Sequence, residues 1–218
     1  MDKTTDYAFW NWLKQEATEE ERQLTYKVMA FGDELFQDMV FAPESCSSAL
    51  LYGEYEDTDA GESREVMFSL PSDLEYFMYD WFKYKVESLP GDTCGRYNPL
   101  EQTLTIDPDY LNNDSVILHE MIHLHEEVLD EFPRFLHDML YWALYQQLRD
   151  RIVGLDEAIN KHAHLVTQEE IYESGGVHDI LFLLKSFDLD IQMGYPLGTV
   201  FGYGRVDVFK SLEVISGS

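Results

Sequence analysis

The stretch Leu118-His119-Glu120-Met121-Ile122-His123-Leu124-His125-Glu126 sets an HExxH pattern inside the most apolar helical segment of the chain. The segment starts near Asn113 or Asp114 and runs through Val116, Ile117, Leu118, Met121, Ile122, Leu124, Val128 and Leu129. Upstream, Thr103-Leu104-Thr105-Ile106 has strand composition and is ended by Asp107-Pro108. Downstream, Pro133 suits the first turn of another helix, continued by Phe135, Leu136, Met139, Leu140, Trp142, Ala143, Leu144 and Leu148. The order expected around the motif is therefore a short strand, a buried helix and a second helix after a tight turn.

Residue frequencies in this chain give roughly 0.02 chance occurrences of HExxH, so coincidence is a poor explanation. Residues four apart lie on one helical face, which lets His119 and His123 reach the same metal ion. Glu120, beside the first of them, is placed to remove a proton from a water activated by that metal. An open zinc site takes three protein ligands, so a third is expected beyond the helix. His137 lies past the Pro133 turn, Glu131 sits just before it, and Glu169, Glu170 and Glu173 offer carboxylates from a later helix. His125 is rotated about 200° from His123, off the metal face, and is read as exposed. Glu127 is read as solvated or supporting the ligands, and His162, His164 and His178 as ordinary surface or core histidines.

Away from the motif, the first forty residues read as helix from Phe9, Trp10 and Leu13, then Leu24, Val28, Met29, Phe31, Leu35, Met39 and Val40. Thr18 and Glu21 have capping-box spacing. Ala49-Leu50-Leu51-Tyr52 and Val66-Met67-Phe68 flank the acidic segment Glu54 to Glu65, the pattern of a hairpin or loop. Ser72 to Val86 reads as a helix capped by Ser72 and Glu75. Gly175-Gly176 separates short helices over Thr167 to Glu173 and His178 to Phe187. The tail, with Gly194, Pro196, Gly198, Gly202 and Gly204, reads as irregular or short extended structure.

The chain has 218 residues with 45% hydrophobic and 14% aromatic content, enough for one domain with a single core. Residues 1–218 are read as that domain: N-terminal helices over 1–44, a strand and metal-helix core over 45–150, and C-terminal helices and loops over 151–218. Fifteen Lys and Arg against 42 Asp and Glu leave a formal charge of −27, which repels nucleic-acid phosphates and anionic lipid. Direct nucleic-acid binding is not expected. The first 21 residues carry no apolar export signal, and no apolar run approaches the roughly 18 residues of a membrane span. Cys46 and Cys94 lack CxxC spacing, so two thiols in a reducing cytoplasm are expected.

With these residues in hand, the stretch from Cys94 to Tyr141 resembles the SprT-like zinc metallopeptidases, the group that includes the Spartan DNA–protein-crosslink proteases. The matching features are Gly95-Arg96-Tyr97, the strand Thr103 to Ile106, the spacer Asp107 to Asn113 and the HExxH of His119 to His123. In that family a third histidine follows after a loop of variable length, with an aromatic four residues beyond it. His137 with Tyr141 fits this, although Asp138 stands where the family usually has Gly. Alignment on Pro133-Arg134-Phe135 would instead put Glu131 in the ligand position.

The resemblance implies an α+β fold, mainly helical and zincin-like, with a small sheet whose edge strand receives an extended peptide. It implies a zinc metallopeptidase acting on protein or peptide, with His119, His123 and His137 holding Zn2+ and Glu120 as base. Tyr172, Tyr195, Tyr203 and Arg205 are the candidates for stabilising an oxyanion. The competing expectation is a non-catalytic, metal-stabilised module whose acidic surface binds a basic partner.

Overall fold

A computed structural model of the protein describes residues 4–36, 50–57, 62–69, 81–130, 135–166, 178–202 and 209–215. Two helices come first, α1 (Thr4–Gln15) and α2 (Glu19–Leu35). The capping box that starts α2 forms as its spacing predicts. The Glu21 amide donates to Thr18 Oγ1 at 3.1 Å, and the Thr18 amide donates to Glu21 Oε2 at 2.8 Å. Leu24, Val28 and Gly32 then recur at helical spacing on its buried face.

Strands β1 (Leu50–Asp57) and β2 (Glu62–Ser69) pair antiparallel, from Leu50 opposite Ser69 to Asp57 opposite Glu62. The acidic segment is thus carried by a hairpin, one of the two forms expected of it. The helix expected over Ser72 to Val86 is not what the described part shows. Lys83–Val86 is a strand, β3, and the remainder up to Asp80 lies outside the described residues. Phe82 and Tyr84 are buried while Lys83 and Lys85 are exposed, a period of two that the aromatic spacing masked. The exposed lysines also suit an edge strand, where charge discourages pairing with another chain.

β3, β4 (Gly95–Asn98) and β5 (Thr103–Ile106) form a mixed sheet in the order β3-β5-β4. β5 runs parallel to β3 and antiparallel to β4, with Tyr84 and Tyr97 both in register with Leu104. All four residues of β5 are buried, as the middle strand of a covered sheet requires. Asp107 ends β5 by accepting the Leu89 amide at 2.9 Å and the Asp109 amide at 3.0 Å, opening a 3-10 turn over Pro108–Tyr110.

The motif helix is α3 (Asp114–Asp130). Asn113 Oδ1 accepts from the Ser115 amide and hydroxyl at its start, and Lys27 of α2 pairs with Asp114 at 2.8 Å. Every residue from Ser115 to Ile122 is buried, because α3 is packed by β4, β5, α2 and two later helices. Beyond it come α4 (Phe135–Arg149), β6 (Ile152–Val153), α5 (Leu155–Val166), α6 (Ile180–Met193), α7 (Thr199–Gly202) and β7 (Glu213–Val214). α6 is buried from Leu181 to Asp190, packs against α3, α4, α5 and α7, and contains the buried pair Lys185–Asp188 at 2.7 Å.

The expected tail of irregular or extended structure is part helix: α7 is a short helix, while β7 pairs with β6. The expected short helix over Thr167 to Glu173 lies outside the described residues, as does Cys46. The architecture is α+β, mainly helical with a small mixed sheet. Among the described residues, no helix is long and apolar enough to cross a membrane. Because Leu104 is fully buried in the middle strand, Leu104→Ala is expected to lower unfolding free energy by about 2–5 kcal/mol. Leu100, 96% exposed on the β4–β5 turn, should tolerate Ala within about 0.5 kcal/mol in the same urea titration. Equal effects would contradict the placement of β5.

Candidate metal centre

The one-turn offset of His119 and His123 on α3 brings their imidazole centroids to 5.4 Å. The third ring beside them is His178, which precedes α6. Asp179 caps that helix, accepting the Phe182 amide at 2.8 Å, and so fixes where the chain enters it. The His178 ring lies 4.8 Å from that of His119 and 5.2 Å from that of His123. One nitrogen from each of the three lies within 4.8 Å of the others. Phe182, one turn into α6 and fully buried, packs against all three rings at 4.4–4.8 Å and closes the cluster on one side.

Hydrogen bonds fix which nitrogens face inward. His119 Nδ1 lies 2.9 Å from the Val200 carbonyl, which can only accept, so Nδ1 carries the proton and Nε2 keeps its lone pair. His123 Nδ1 lies 3.1 Å from Glu126 Oε2, and the carboxylate imposes the same tautomer. His119 Nε2 and His178 Nε2 are 3.1 Å apart. That is a hydrogen-bond distance, and it is also close to the ~3.3 Å between two nitrogens at the corners of a tetrahedral zinc site. The His178 carbonyl accepts from His162 Nε2 at 2.6 Å, anchoring the backbone of the third ring.

Burial holds all three rings neutral. It pushes His119 well below the usual histidine range, helped by His178 and His123. It lowers His123 to about 3 and His178 to about 4, with His178 adding to the first shift and His162 to the second. The His123–Glu126 contact is therefore a hydrogen bond from a neutral ring rather than an ion pair. Three neutral imidazoles, two of them with Nε2 left free of a proton by their Nδ1 hydrogen bonds, are a donor set suited to a divalent cation.

Glu120 is buried, and β4 explains how it is accommodated. A Cβ placed on Gly95 would lie 2.9 Å from both Glu120 Cγ and Glu120 Oε1, and 3.0 Å from Ile106 Cδ1. Only glycine lets the strand approach the carboxylate this closely. Two residues along β4, burial and the Glu127 carboxylate raise the phenol of Tyr97, which places Glu127 on the sheet side of α3.

His125 is a correction to the expected exposure. It is 2% exposed, because the face of α3 opposite the metal side is covered by the end of α2, where Phe36 packs at 5.8 Å from its ring. His137 lies in the first turn of α4, and its side chain falls outside the described residues, as do Glu131, Glu169, Glu170, Glu173, Tyr172, Tyr203, Arg205 and the side chain of His164. Tyr195 is half-buried, its phenol raised by burial with Asp114 and Asp190 nearby. His178, passed over as an ordinary histidine, carries no local motif. Its only sequence signal is its place beside an Asp cap and four residues before Phe182.

No protein-family model, curated protein or solved structure matches this chain.

The depressed histidines make stability depend on pH. Between pH 4 and 6.5 the unfolded chain protonates all three rings while the folded chain keeps them neutral, so their contribution is complete above 6.5 and is lost as pH falls toward 4. Asp190, raised by burial to about 7, opposes this by holding a proton in the folded chain that the unfolded chain has released. Three protons against one leave a net uptake of about two on unfolding. Urea midpoints of the metal-free protein should fall between pH 6.5 and 4.5 with that slope. A flat profile would contradict three buried neutral rings.

Proposed function

We propose that the protein is a zinc-dependent peptidase in which His119, His123 and His178 hold one metal ion and Glu120 is the general base. The observation that carries this reading is the convergence of three neutral imidazoles, two from α3 and one from the entry to α6, with a buried glutamate next in sequence to the first of them. A site built only to stabilise the fold has no need of a carboxylate next to its ligands. Bound zinc would supply Lewis acidity, lowering the pKa of a water and polarising a carbonyl. Glu120 takes the proton from the attacking water and delivers it to the departing amine, while Glu126 and Val200 hold the rings of His123 and His119 in orientation.

The edge of the sheet supports peptide as substrate. Among the described residues β4 pairs only with β5, and its Gly95 packs against Glu120, so an extended chain added along β4 would pass close to the base. The HExxH helix beside a small mixed sheet also supports a zincin-like, SprT-like peptidase. The aromatic expected four residues beyond the third histidine is met by Phe182 after His178 as well as by Tyr141 after His137. We take His178 as the ligand because its ring lies with the other two.

Elemental analysis and cleavage of an unstructured protein such as casein test this together. Wild type should hold about one zinc per chain, and His123→Ala and His178→Ala should each lose it, whereas His137→Ala should keep it. Loss with His137→Ala alone would move the third ligand to α4. Glu120→Gln should keep zinc and lose about 10²–10⁴-fold in rate. Gly95→Ala, which drives a methyl into Glu120, should keep zinc with reduced rate. Undiminished cleavage by Glu120→Gln would overturn the catalytic assignment.

A further inference from the structure

The loop before α7 is organised by one buried side chain of α6. Asp190 is fully buried, and its two carboxylate oxygens accept two amides of the same turn. Oδ2 takes the Gly198 amide at 2.7 Å and Oδ1 takes the Val200 amide at 2.9 Å. Its own carbonyl accepts the Tyr195 amide at 2.7 Å. Gly198 sits at φ +89° with Phe209 packed where a side chain would go, so the turn has little freedom to rearrange. Val200, buried and held by Asp190 through its amide, presents its carbonyl to His119 Nδ1 at 2.9 Å.

We propose that Asp190 is a positioning residue for the metal centre, setting the tautomer and orientation of His119 through the backbone of Val200. The inference rests on the metal-centre reading above. His123 has its carboxylate in direct contact, in Glu126, whereas His119 is reached by a carboxylate at one remove, through a turn whose Gly198 and Val200 amides Asp190 holds. The carboxylate is specifically required because two N–H groups need two acceptor atoms. Asparagine offers one oxygen and would set its NH2 against the other amide. Burial raises the Asp190 carboxyl to about 7, so the carboxylate that accepts both amides prevails above that pH.

Titration of the metal-free full chain with Co2+, read by its visible d–d absorption, tests the assignment. Wild type is expected to bind, and Asp190→Asn to bind about 10–100-fold more weakly with a shifted band, at a temperature where far-UV circular dichroism shows it folded. Leu189→Ala, a buried apolar change at the next residue, should lower thermal stability while leaving Co2+ affinity and band as in wild type. Asp190→Glu keeps both acceptor oxygens one methylene further out and should fall between the two. It carries the same test if Asp190→Asn does not fold. Wild-type affinity and spectrum in the Asp190 variant would overturn the positioning role alone. Absence of Co2+ binding by wild type would instead remove the metal centre on which it rests.

Discussion

An imidazole buried in an apolar core is costly unless both nitrogens find partners, and His119 is the residue on which that constraint falls hardest. It is 3% exposed in the middle of α3, with one nitrogen on the Val200 carbonyl and the other on His178. These contacts tie the motif helix to the entry to α6 and to the start of α7. Loss of either contact would leave a buried polar atom unpaired, at a cost of about 1–3 kcal/mol. The entry to α6 and the start of α7 thus meet at one ring of the motif helix. Phe182, packed on all three histidines, covers one side of the same junction with an apolar ring.

Charge is distributed with the same economy. The chain carries 42 acidic and 15 basic side chains, and among the described residues Glu120, Lys185, Asp188 and Asp190 are the buried ones. Lys185 and Asp188 neutralise one another across one turn of α6, and Lys185 also donates to the Leu35 carbonyl at 2.8 Å, joining α6 to the end of α2. Asp190 is satisfied by backbone amides, and Glu120 lies under the Gly95 backbone beside the histidines.

Helix α3 and strand β5 are legible in the sequence because both are short-range patterns: an apolar run with HExxH, and a β-branched stretch ended by Asp107-Pro108. The capping box at Thr18 is read for the same reason. The β3 strand is obscured because Trp81, Phe82 and Tyr84 also satisfy a helical spacing, and only pairing with β5 decides for period two. Helix α5 lies within the C-terminal helices and loops expected over 151–218, and Leu155, Ala158, Ile159 and His162 have the helical spacing of its buried face. In the site, His119, Glu120 and His123 stand out from spacing alone. His178 does not, since its approach to them depends on how α6 packs against α3, a tertiary fact with no local signature. Gly95 likewise looks like an ordinary strand glycine until Glu120 is placed beneath it.

The central claim is that one ion is held by three imidazoles drawn from α3 and the start of α6. X-ray absorption at the zinc edge of the loaded full chain measures this directly, because imidazole rings give a characteristic outer-shell scattering that can be counted. The account predicts three rings per zinc in the wild type and no bound zinc in His178→Ala. Two rings in the wild type, or a count unchanged by His178→Ala, would contradict it.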